Sequence, residues 1–215
     1  MQPPPAAPVS SLPLRTDWSN LDSMSRPKSF SESDVLERAL DVFWQRGYQG
    51  VGLTELLNEM GIARQSLYDT FGNKRQLFIK TIEHYRNTRL ASALALLERD
   101  GSPTQNVKDL VRFFEQLALD KRARGCLVAN SLVEVGSQDS EIRELLAQTL
   151  GLLEKSISKA LRRARRAGEL PAGRSPRAIA RALTNALIGM AVTGKLGQNK
   201  STVQDIYTGT LMMLG

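Results

Sequence analysis

The sequence predicts an all-α protein, and three observations lead to that prediction. Apolar residues recur every three or four positions along most of the chain, which is the period of a helix with one buried face. Several of these stretches begin with a capping residue and a proline at the first helical position, as at Ser102-Pro103 and Ser175-Pro176. No segment alternates apolar and polar residues for long enough to predict a strand. We therefore expect about nine helices and no sequence repeat.

The amino-terminal region changes character near residue 24. Residues 1–23 contain five prolines and show no helical or strand period, so we predict a disordered tail. The helical pattern begins after Ser31, an expected N-cap, and ends at Gly47, because glycine commonly terminates a helix. The first helix is therefore predicted between these two residues.

Two short helices and one long helix are expected next. The short helices should cover about 53–60 and 64–70, with Gly61 supplying the turn between them. Asn73 is the expected N-cap of the long helix, which should reach about Leu97. Closely spaced short helices joined at a glycine are the pattern of a helix-turn-helix.

The remaining chain shows the same amphipathic pattern. We divide it from the preceding part at residue 80, which gives a helix-turn-helix domain over 24–80 and a larger helical domain over 81–215. Helices of the second domain are predicted over about 102–120, 126–135, 140–167, 176–194 and 202–214.

Composition narrows the class of protein. The 215 residues are 41% hydrophobic and 24% charged, which is typical of a soluble protein with a buried core. No apolar stretch approaches the roughly 20 residues that span a bilayer, and we identify no export signal. We therefore expect a cytoplasmic protein without a membrane partner.

Cys126 and His84 are the only cysteine and histidine. They cannot form a disulfide within the chain or a zinc site of several Cys and His ligands, and they offer one thiol and one imidazole for catalysis. We therefore predict that the protein is not an enzyme and uses no metal or cofactor. A helical enzyme based on Cys126 or His84 is the alternative from another functional class.

The formal net charge of +7 does not by itself locate a DNA-binding surface. Residues 24–80 contain eight basic and seven acidic residues, whereas residues 81–215 contain twenty basic and thirteen acidic residues. The densest basic run lies within residues 159–166, which a helix would present to solvent. A DNA-binding prediction must therefore rest on a motif.

The predicted helix pair has the residue types of a DNA-reading element. Apolar residues can pack its helices together, which leaves polar residues of the second helix facing outward toward a major groove. Arginine and glutamine carry the forked groups that pair with guanine and adenine edges. The expected packing residues are Leu56, Leu57, Met60, Ile62, Leu67 and Phe71, and the expected outward residues are Arg64, Gln65, Ser66 and Asp69.

At these residues the chain resembles the TetR/AcrR family of bacterial transcriptional regulators. The resemblance covers residues 31–80, and its most diagnostic part is the run from Ser66 to Phe78, Ser-Leu-Tyr-Asp-Thr-Phe-Gly-Asn-Lys-Arg-Gln-Leu-Phe. Arg46-Gly47-Tyr48, Glu55-Leu56-Leu57 and Gly61-Ile62 also match. The resemblance implies a DNA-binding regulator of transcription, with double-stranded operator DNA as its partner.

The resemblance also implies roles for individual residues. Arg64, Gln65, Ser66 and Asp69 become candidate base or groove contacts, and Tyr68, Thr54 and Lys74 become candidate phosphate contacts. Arg26 and Lys28 resemble a basic arm that enters the minor groove.

Two positions depart from the family pattern. Val51-Gly52 stands where Thr and Ser are common, and Ala63 replaces the usual Ser cap of the second helix. Losing a side-chain cap costs about 1 kcal/mol. These departures leave open an alternative in which a protein of this fold has lost DNA binding and acts through protein partners.

For residues 81–215 the resemblance implies effector binding and dimerisation. We expect a homodimer that represses transcription at a pseudo-palindromic operator and is released by a small-molecule effector, which the sequence does not identify. The candidate effector contacts are His84, Phe113, Phe114, Cys126, Asn130 and Met190. The candidate dimer contacts are of two kinds: Ala182, Ala186 and Gly189 are small and allow helices to approach closely, and Met190, Ile206 and Leu211 supply apolar area.

Cys126 has two interpretations. Its expected place at a helix start, downstream of Lys121, Arg122 and Arg124, would favour the thiolate and a role in sensing oxidants or electrophiles. Its apolar neighbours favour simple packing in the core.

Overall fold

The structure is a computed structural model that describes residue 1 and residues 30–122, 124–196 and 200–215. Glu32–Gly215 forms one compact unit, which is described below, and a second unit, Met1–Ser31, lies almost wholly outside the described residues. The predicted tail and the predicted arm residues Arg26 and Lys28 lie outside them as well. The described chain is helical and contains no strand, which confirms the predicted fold class.

The helices are bounded as follows: α1 Glu32–Arg46, α2 Leu53–Met60, α3 Arg64–Phe71, α4 Lys74–Tyr85, α5 Ala91–Ala95, α6 Pro103–Ala118, α7 Leu127–Val135, α8 Ser140–Arg166, α9 Pro176–Lys195 and α10 Lys200–Leu211. Counting α4 and α5 as one continuous helix gives the predicted nine within the described residues. Most predicted bounds agree with these to within about three residues.

Helix α1 packs on α2 and α4, and α3 packs on α4. Leu40 and Phe43 of α1 are buried against α4, where the Phe43 and Phe78 rings meet edge to face with centroids 4.9 Å apart. Leu67 and Phe71 are the buried side of α3. This packing fixes which side of α3 remains exposed.

Helices α2 and α3 meet at Gly61, which has a φ of +69°. Left-handed backbone is natural for glycine, and here it lets the Gly61 N–H donate to the Leu57 carbonyl and end α2. The N-caps of the two helices, Gly52 and Ala63, make no side-chain hydrogen bond, as expected from the sequence. The turn is therefore held by backbone bonds and apolar packing.

Helix α4 starts with a capping box, in which the Asn73 side chain accepts from the Gln76 N–H and the Gln76 side chain accepts from the Asn73 N–H. A π turn, Arg86–Leu90, follows α4, and the Ala91 N–H donates to the carbonyl of Arg86, five residues earlier. The helix then continues as α5 and a 3-10 turn, Leu96–Glu98. The predicted long helix is therefore continuous but changes its hydrogen bonding midway.

The second half packs mainly through α6, α8 and α9. Helix α8 has 27 residues and is about 40 Å long, and it buries Leu146, Leu153 and Ile157 along one side. Helix α10 packs on α6 and α9. The division expected at residue 80 falls inside α4, and Glu32–Gly215 packs as one unit, so that division stays a prediction.

None of the described helices combines the length and the apolar character that crossing a membrane requires.

Candidate nucleic-acid interface and cavities

One face of α3 is open to solvent and carries the predicted DNA-reading residues. Arg64, Gln65, Tyr68 and Asp69 are exposed, and Ser66 is half-buried. The Gln65 Nε2 donates to Asp69 Oδ1 at 2.7 Å, so the amide is already oriented by its neighbour one turn along. Within the described chain Arg64 makes no hydrogen bond or ion pair, which leaves its guanidinium available to a partner.

The predicted phosphate contacts differ from one another. Thr54 is exposed in the first turn of α2, and Tyr68 keeps 46% of its surface exposed on α3. Lys74 is instead held by the protein, because its Nζ donates to the Val51 carbonyl at 2.6 Å and lies 4.6 Å from the centre of the Tyr48 ring. Burial lowers the pKa of Lys74, and nearby Glu134 opposes that change. Lys74 therefore supports the turn before α2 whether or not it also meets a phosphate.

Glu134 of α7 accepts hydrogen bonds from the turn that follows α1. Its carboxylate accepts from the Tyr48 N–H at 2.9 Å and from the Gln49 N–H at 2.7 Å. Gly47 has a φ of +79°, and a Cβ built there would lie 2.7 Å from Glu134 Oε1. The close approach of this carboxylate therefore depends on glycine at position 47.

Arg75 makes a second connection between the two halves. Its guanidinium donates to both carboxylate oxygens of Asp139, at 2.6 and 2.9 Å, and to Glu141 at 2.6 Å. Asp139 also caps α8 by accepting from the Ile142 N–H. The Arg75 hydrogen bond, with help from this cap, lowers the pKa of Asp139 to about 2. We call Glu134, Asp139 and Glu141 together the α7–α8 clamp.

The six candidate effector residues do not line one cavity. Phe113 and Phe114 line a cavity of about 190 Å³ bounded by α1, α4, α5 and α6. Asn130 lines a separate groove of about 540 Å³ bounded by α1, α7 and α9. The structure therefore separates these candidates, although Trp44 lines both spaces.

The other three effector candidates lie elsewhere. His84 Nε2 is 3.0 Å from Glu37 Oε2, so this ring joins α4 to α1 instead of lining either cavity. Met190 is fully buried in the core, and Cys126 lines neither space. Tyr85, which the sequence analysis left out, lines the smaller cavity. Its place in the regular apolar period of α4 gave no signal beyond core packing.

Two family models match the sequence. The model described as "Bacterial regulatory proteins, tetR family" matches residues 35–81, and "Tetracyclin repressor-like, C-terminal domain" matches residues 103–209. The HTH-type transcriptional regulator YezE of Bacillus subtilis (strain 168) is 33% identical over 193 residues, which cover 89% of this chain and 100% of YezE. The chain belongs to the TetR family of bacterial transcriptional regulators.

Other TetR family members support this assignment. The HTH-type transcriptional repressor ComR of Escherichia coli (strain K12) is 24% identical, covering 89% of this chain and 92% of ComR. A solved structure of a CifR cysteine mutant with a 26bp double-strand operator DNA is 27% identical and has a TM-score of 0.78, covering 88% of this chain and all of that one. The protein is a DNA-binding transcriptional regulator of this family.

For this TetR family chain, the candidate dimer residues fall into two groups. Ala182 and Gly189 are exposed on α9, and Ala186 is half-buried beside them. Met190 is fully buried, because it is one residue and about 100° around the helix from Gly189. Met190 therefore belongs to the chain's own core and not to the exposed face. Ile206 and Leu211 of α10 are half-buried.

The structure favours the packing interpretation of Cys126. Burial raises the pKa of its thiol, although hydrogen bonds from the backbone of Ala129 and Val128 act in the opposite direction. The residue keeps some accessible surface, and the two residues that follow it in α7, Leu127 and Val128, are buried. The lowered thiol pKa that a sensing role would need is therefore not found, because charging a buried sulfur is unfavourable.

Proposed function

We propose that this TetR family protein is a homodimeric transcriptional repressor that binds a pseudo-palindromic operator and is released from it by a small molecule. The observation that carries the proposal is the exposed face of α3. That face presents the guanidinium of Arg64, which has no partner within the described part of the chain, and the oriented amide of Gln65. The buried residues Leu67 and Phe71 anchor the helix beneath them. The guanidinium and the amide are the groups that read guanine and adenine edges in a major groove.

A dimer follows from the size of α3, which is long enough to contact only a few base pairs. Two such helices about 34 Å apart reach successive major grooves on one side of the duplex. The surface that we assign to the dimer is the exposed stripe of α9, where Ala182, Gly189, Val192 and Leu196 recur at helical spacing. Val192 and Leu196 add apolar area to the small residues, and the partly exposed Ile206 and Leu211 of α10 extend it.

The contacts between the two halves support a ligand response. The α7–α8 clamp and the Trp44 indole, which donates to the Gly125 carbonyl at 3.0 Å, tie α1 and α4 to the second half. A ligand bound near these contacts would change the position of α3 at the DNA only by favouring one arrangement of them. Repressors among the relatives, such as ComR, support repression as the outcome.

The two alternatives gain less support. An enzyme based on Cys126 and His84 needs the two side chains to act together, but His84 pairs with Glu37 and burial raises the pKa of the Cys126 thiol. Among the residues described, no cluster of three metal-ligating side chains occurs. A regulator that has lost DNA binding would leave the exposed face of α3 without a role.

Binding of labelled duplex DNA tests the proposal. The intergenic DNA flanking the gene and a scrambled duplex are titrated with the protein at physiological salt, and sedimentation gives the stoichiometry. We expect two chains per operator and clear preference over the scrambled duplex. Arg64→Ala should weaken operator binding by roughly five- to 150-fold, whereas Arg166→Ala, an exposed arginine at the end of α8, should change it little. Equal affinity of the unaltered protein for both duplexes would contradict the proposal and favour a non-DNA partner.

A further inference from the structure

Four of the nine residues that line the smaller cavity are aromatic. The cavity lies among α1, α4, the π turn, α5 and α6, and its volume is about 190 Å³. Since one water molecule occupies roughly 30 Å³, this space suits a ligand of on the order of six to ten non-hydrogen atoms. Its lining residues are Trp44, Tyr85, Arg89, Leu90, Ser92, Ala93, Phe113, Phe114 and Leu117.

Two aromatic residues of this wall carry a polar group, and the Trp44 indole already donates to the Gly125 carbonyl, which leaves the phenol of Tyr85. The residue is only 9% exposed, and its ring meets Trp44 edge to face with centroids 5.3 Å apart. Its phenol has no hydrogen-bond partner among the described residues. The phenol oxygen is not fully buried, because Thr104 Oγ1 is the only buried side-chain oxygen or nitrogen without a partner among the described residues. Since Tyr85 lines the cavity, its hydroxyl is a donor that a ligand there can reach. Burial also raises the pKa of Tyr85, which keeps the proton on the oxygen at neutral pH.

The charges beside the cavity are already paired. Arg89, the only ionisable side chain in the lining besides Tyr85, forms an ion pair with Glu37. Glu37 also holds His84 at 3.0 Å. An anionic ligand would have to compete with Glu37 for Arg89, and a cationic ligand would meet no free carboxylate in the lining. The cavity therefore favours an uncharged ligand.

We propose that this cavity binds a small, uncharged organic molecule with an aromatic or apolar body and one oxygen that accepts a hydrogen bond from Tyr85. The inference rests on the proposed function, since it assigns the ligand class of a ligand-responsive repressor. The aromatic side chains Trp44, Phe113 and Phe114 contact the body of the ligand, and Tyr85 selects for the oxygen.

Trp44 connects the cavity to the DNA-reading helices. Its ring forms a wall of the cavity, and its Nε1 donates to the Gly125 carbonyl while the Arg124 guanidinium lies 4.4 Å from the ring centre. Trp44 is three residues before Gly47, and the turn there, which leads to α2, donates a hydrogen bond to Glu134. A ligand against Trp44 therefore acts on the end of α1 that positions the helix pair.

Calorimetric titration of the full-length protein tests the ligand class with three probes of matched shape. Acetophenone carries an acceptor oxygen, α-methylstyrene replaces that oxygen by a methylene, and benzoate carries a negative charge. We expect acetophenone to bind at least about tenfold more tightly than either of the others. Tyr85→Phe should lower the affinity for acetophenone at least about tenfold and leave α-methylstyrene unchanged, because only the hydrogen bond is removed.

Two control variants separate the cavity from general effects. Tyr207→Phe removes a phenol oxygen that lies on α10 and accepts from Arg112, and it should leave acetophenone binding unchanged. Ala93→Leu fills the cavity from its buried wall, and it should abolish binding of both acetophenone and α-methylstyrene. Acetophenone binding that is absent in the unaltered protein, equal in Tyr85→Phe, or retained in Ala93→Leu would overturn the proposal, as would tighter binding of benzoate.

The operator assay distinguishes this failure from failure of the proposed function. We expect acetophenone to release the unaltered protein from its operator and to have at least about tenfold less effect on Tyr85→Phe. If the unaltered protein does not select its operator, the proposed function fails whatever calorimetry shows. If it selects the operator and acetophenone does not bind, only the ligand assignment fails.

Discussion

The exposed face of α3 and the contacts of the α7–α8 clamp use similar polar residues in opposite ways. On α3, Arg64 has no partner among the residues that the structure describes, and the N-cap Ala63 offers no side-chain acceptor. In the clamp, Glu134 accepts two backbone hydrogen bonds and Arg75 donates three to Asp139 and Glu141. The face of α3 keeps the Arg64 guanidinium available, whereas the Arg75 guanidinium is matched to two carboxylates.

This difference separates recognition from positioning. Groups left unpaired in the free protein can bind DNA without first breaking a contact. Groups paired through the α7–α8 clamp fix where the helix pair sits on the second half, so their loss should affect stability first. The following changes test that separation.

Gly47→Ala is expected to have the largest effect. An alanine at position 47 would have to keep a φ of +79°, which strains its backbone. Its Cβ would lie 2.7 Å from Glu134 Oε1 and so displace the carboxylate from Tyr48 and Gln49. We expect the free energy of unfolding to fall by about 2 to 4 kcal/mol, measured by urea denaturation.

Gly168→Ala is the matched control for this change. Gly168 has a φ of +73°, and a Cβ there meets nothing within 4 Å. Strain alone should therefore lower the free energy of unfolding by about 1 kcal/mol. Equal losses at both glycines would mean that Glu134 contributes nothing to holding the turn.

Gln65→Ala is expected to weaken operator binding by about 1 to 3 kcal/mol and to relax specificity at one base pair. Its free energy of unfolding should change by less than about 0.5 kcal/mol, because the residue is exposed. Gln105→Ala removes the same kind of pair on α6, where Gln105 Nε2 donates to Asp109 at 2.8 Å, and should leave DNA binding unchanged. A parallel loss of affinity in both variants would refute recognition by Gln65.

Ala63→Ser adds an acceptor where α3 lacks one. Ala63 has the extended backbone of an N-cap, with φ −70° and ψ 154°, so the serine hydroxyl can reach the first free N–H groups. We expect the free energy of unfolding to rise by about 1 kcal/mol. Asn73→Ala, which removes the existing cap of α4, should lower it by a similar amount. No gain from the serine would show that the turn cannot accept this cap.

The pH dependence of stability gives the smallest expected effect. The pKa of Asp139 is about 2 in the folded protein, mainly through Arg75, against roughly 3.9 for an unperturbed carboxyl. The unfolded chain therefore takes up this proton first, and the contribution of Asp139 is present above about pH 4 and is lost as the pH falls toward 2. Arg75→Gln should flatten this part of the profile, measured by denaturation at a series of pH values. An unchanged profile would show that solvent screens the pair.

Local pattern was enough to predict the helix pair but not the contacts behind it. Leu67 and Phe71 are spaced four apart, so the sequence alone indicated which side of α3 is buried and which side holds Arg64 and Gln65. The hydrogen bond from the Tyr48 N–H to the Glu134 carboxylate joins residues 86 positions apart, and no local period indicates it. A glutamate in a short helix looks like any exposed acid until the fold brings the two segments together.

The cavity was only half predictable for the same reason. Phe113 and Phe114 were identified as aromatic candidates, and they do meet a cavity. Tyr85 follows the apolar period of α4, so its missing hydrogen-bond partner appears only once its neighbours are placed. His84 was chosen as the one imidazole, and its contact with Glu37 depends on how α4 crosses α1.

The π turn within the long helix determines which residues share its buried side. Tyr85 and Leu90 are both buried and stand five residues apart. At about 100° per residue, an unbroken α-helix would point them roughly 140° away from each other. The π turn accommodates one extra residue. The segment that packs on α1 and the segment that packs on α6 can therefore each bury their own apolar side. In a relative with one residue fewer in this segment, we expect a regular α-helix that keeps both packed faces. The deletion would remove the wide turn and would not shorten a loop.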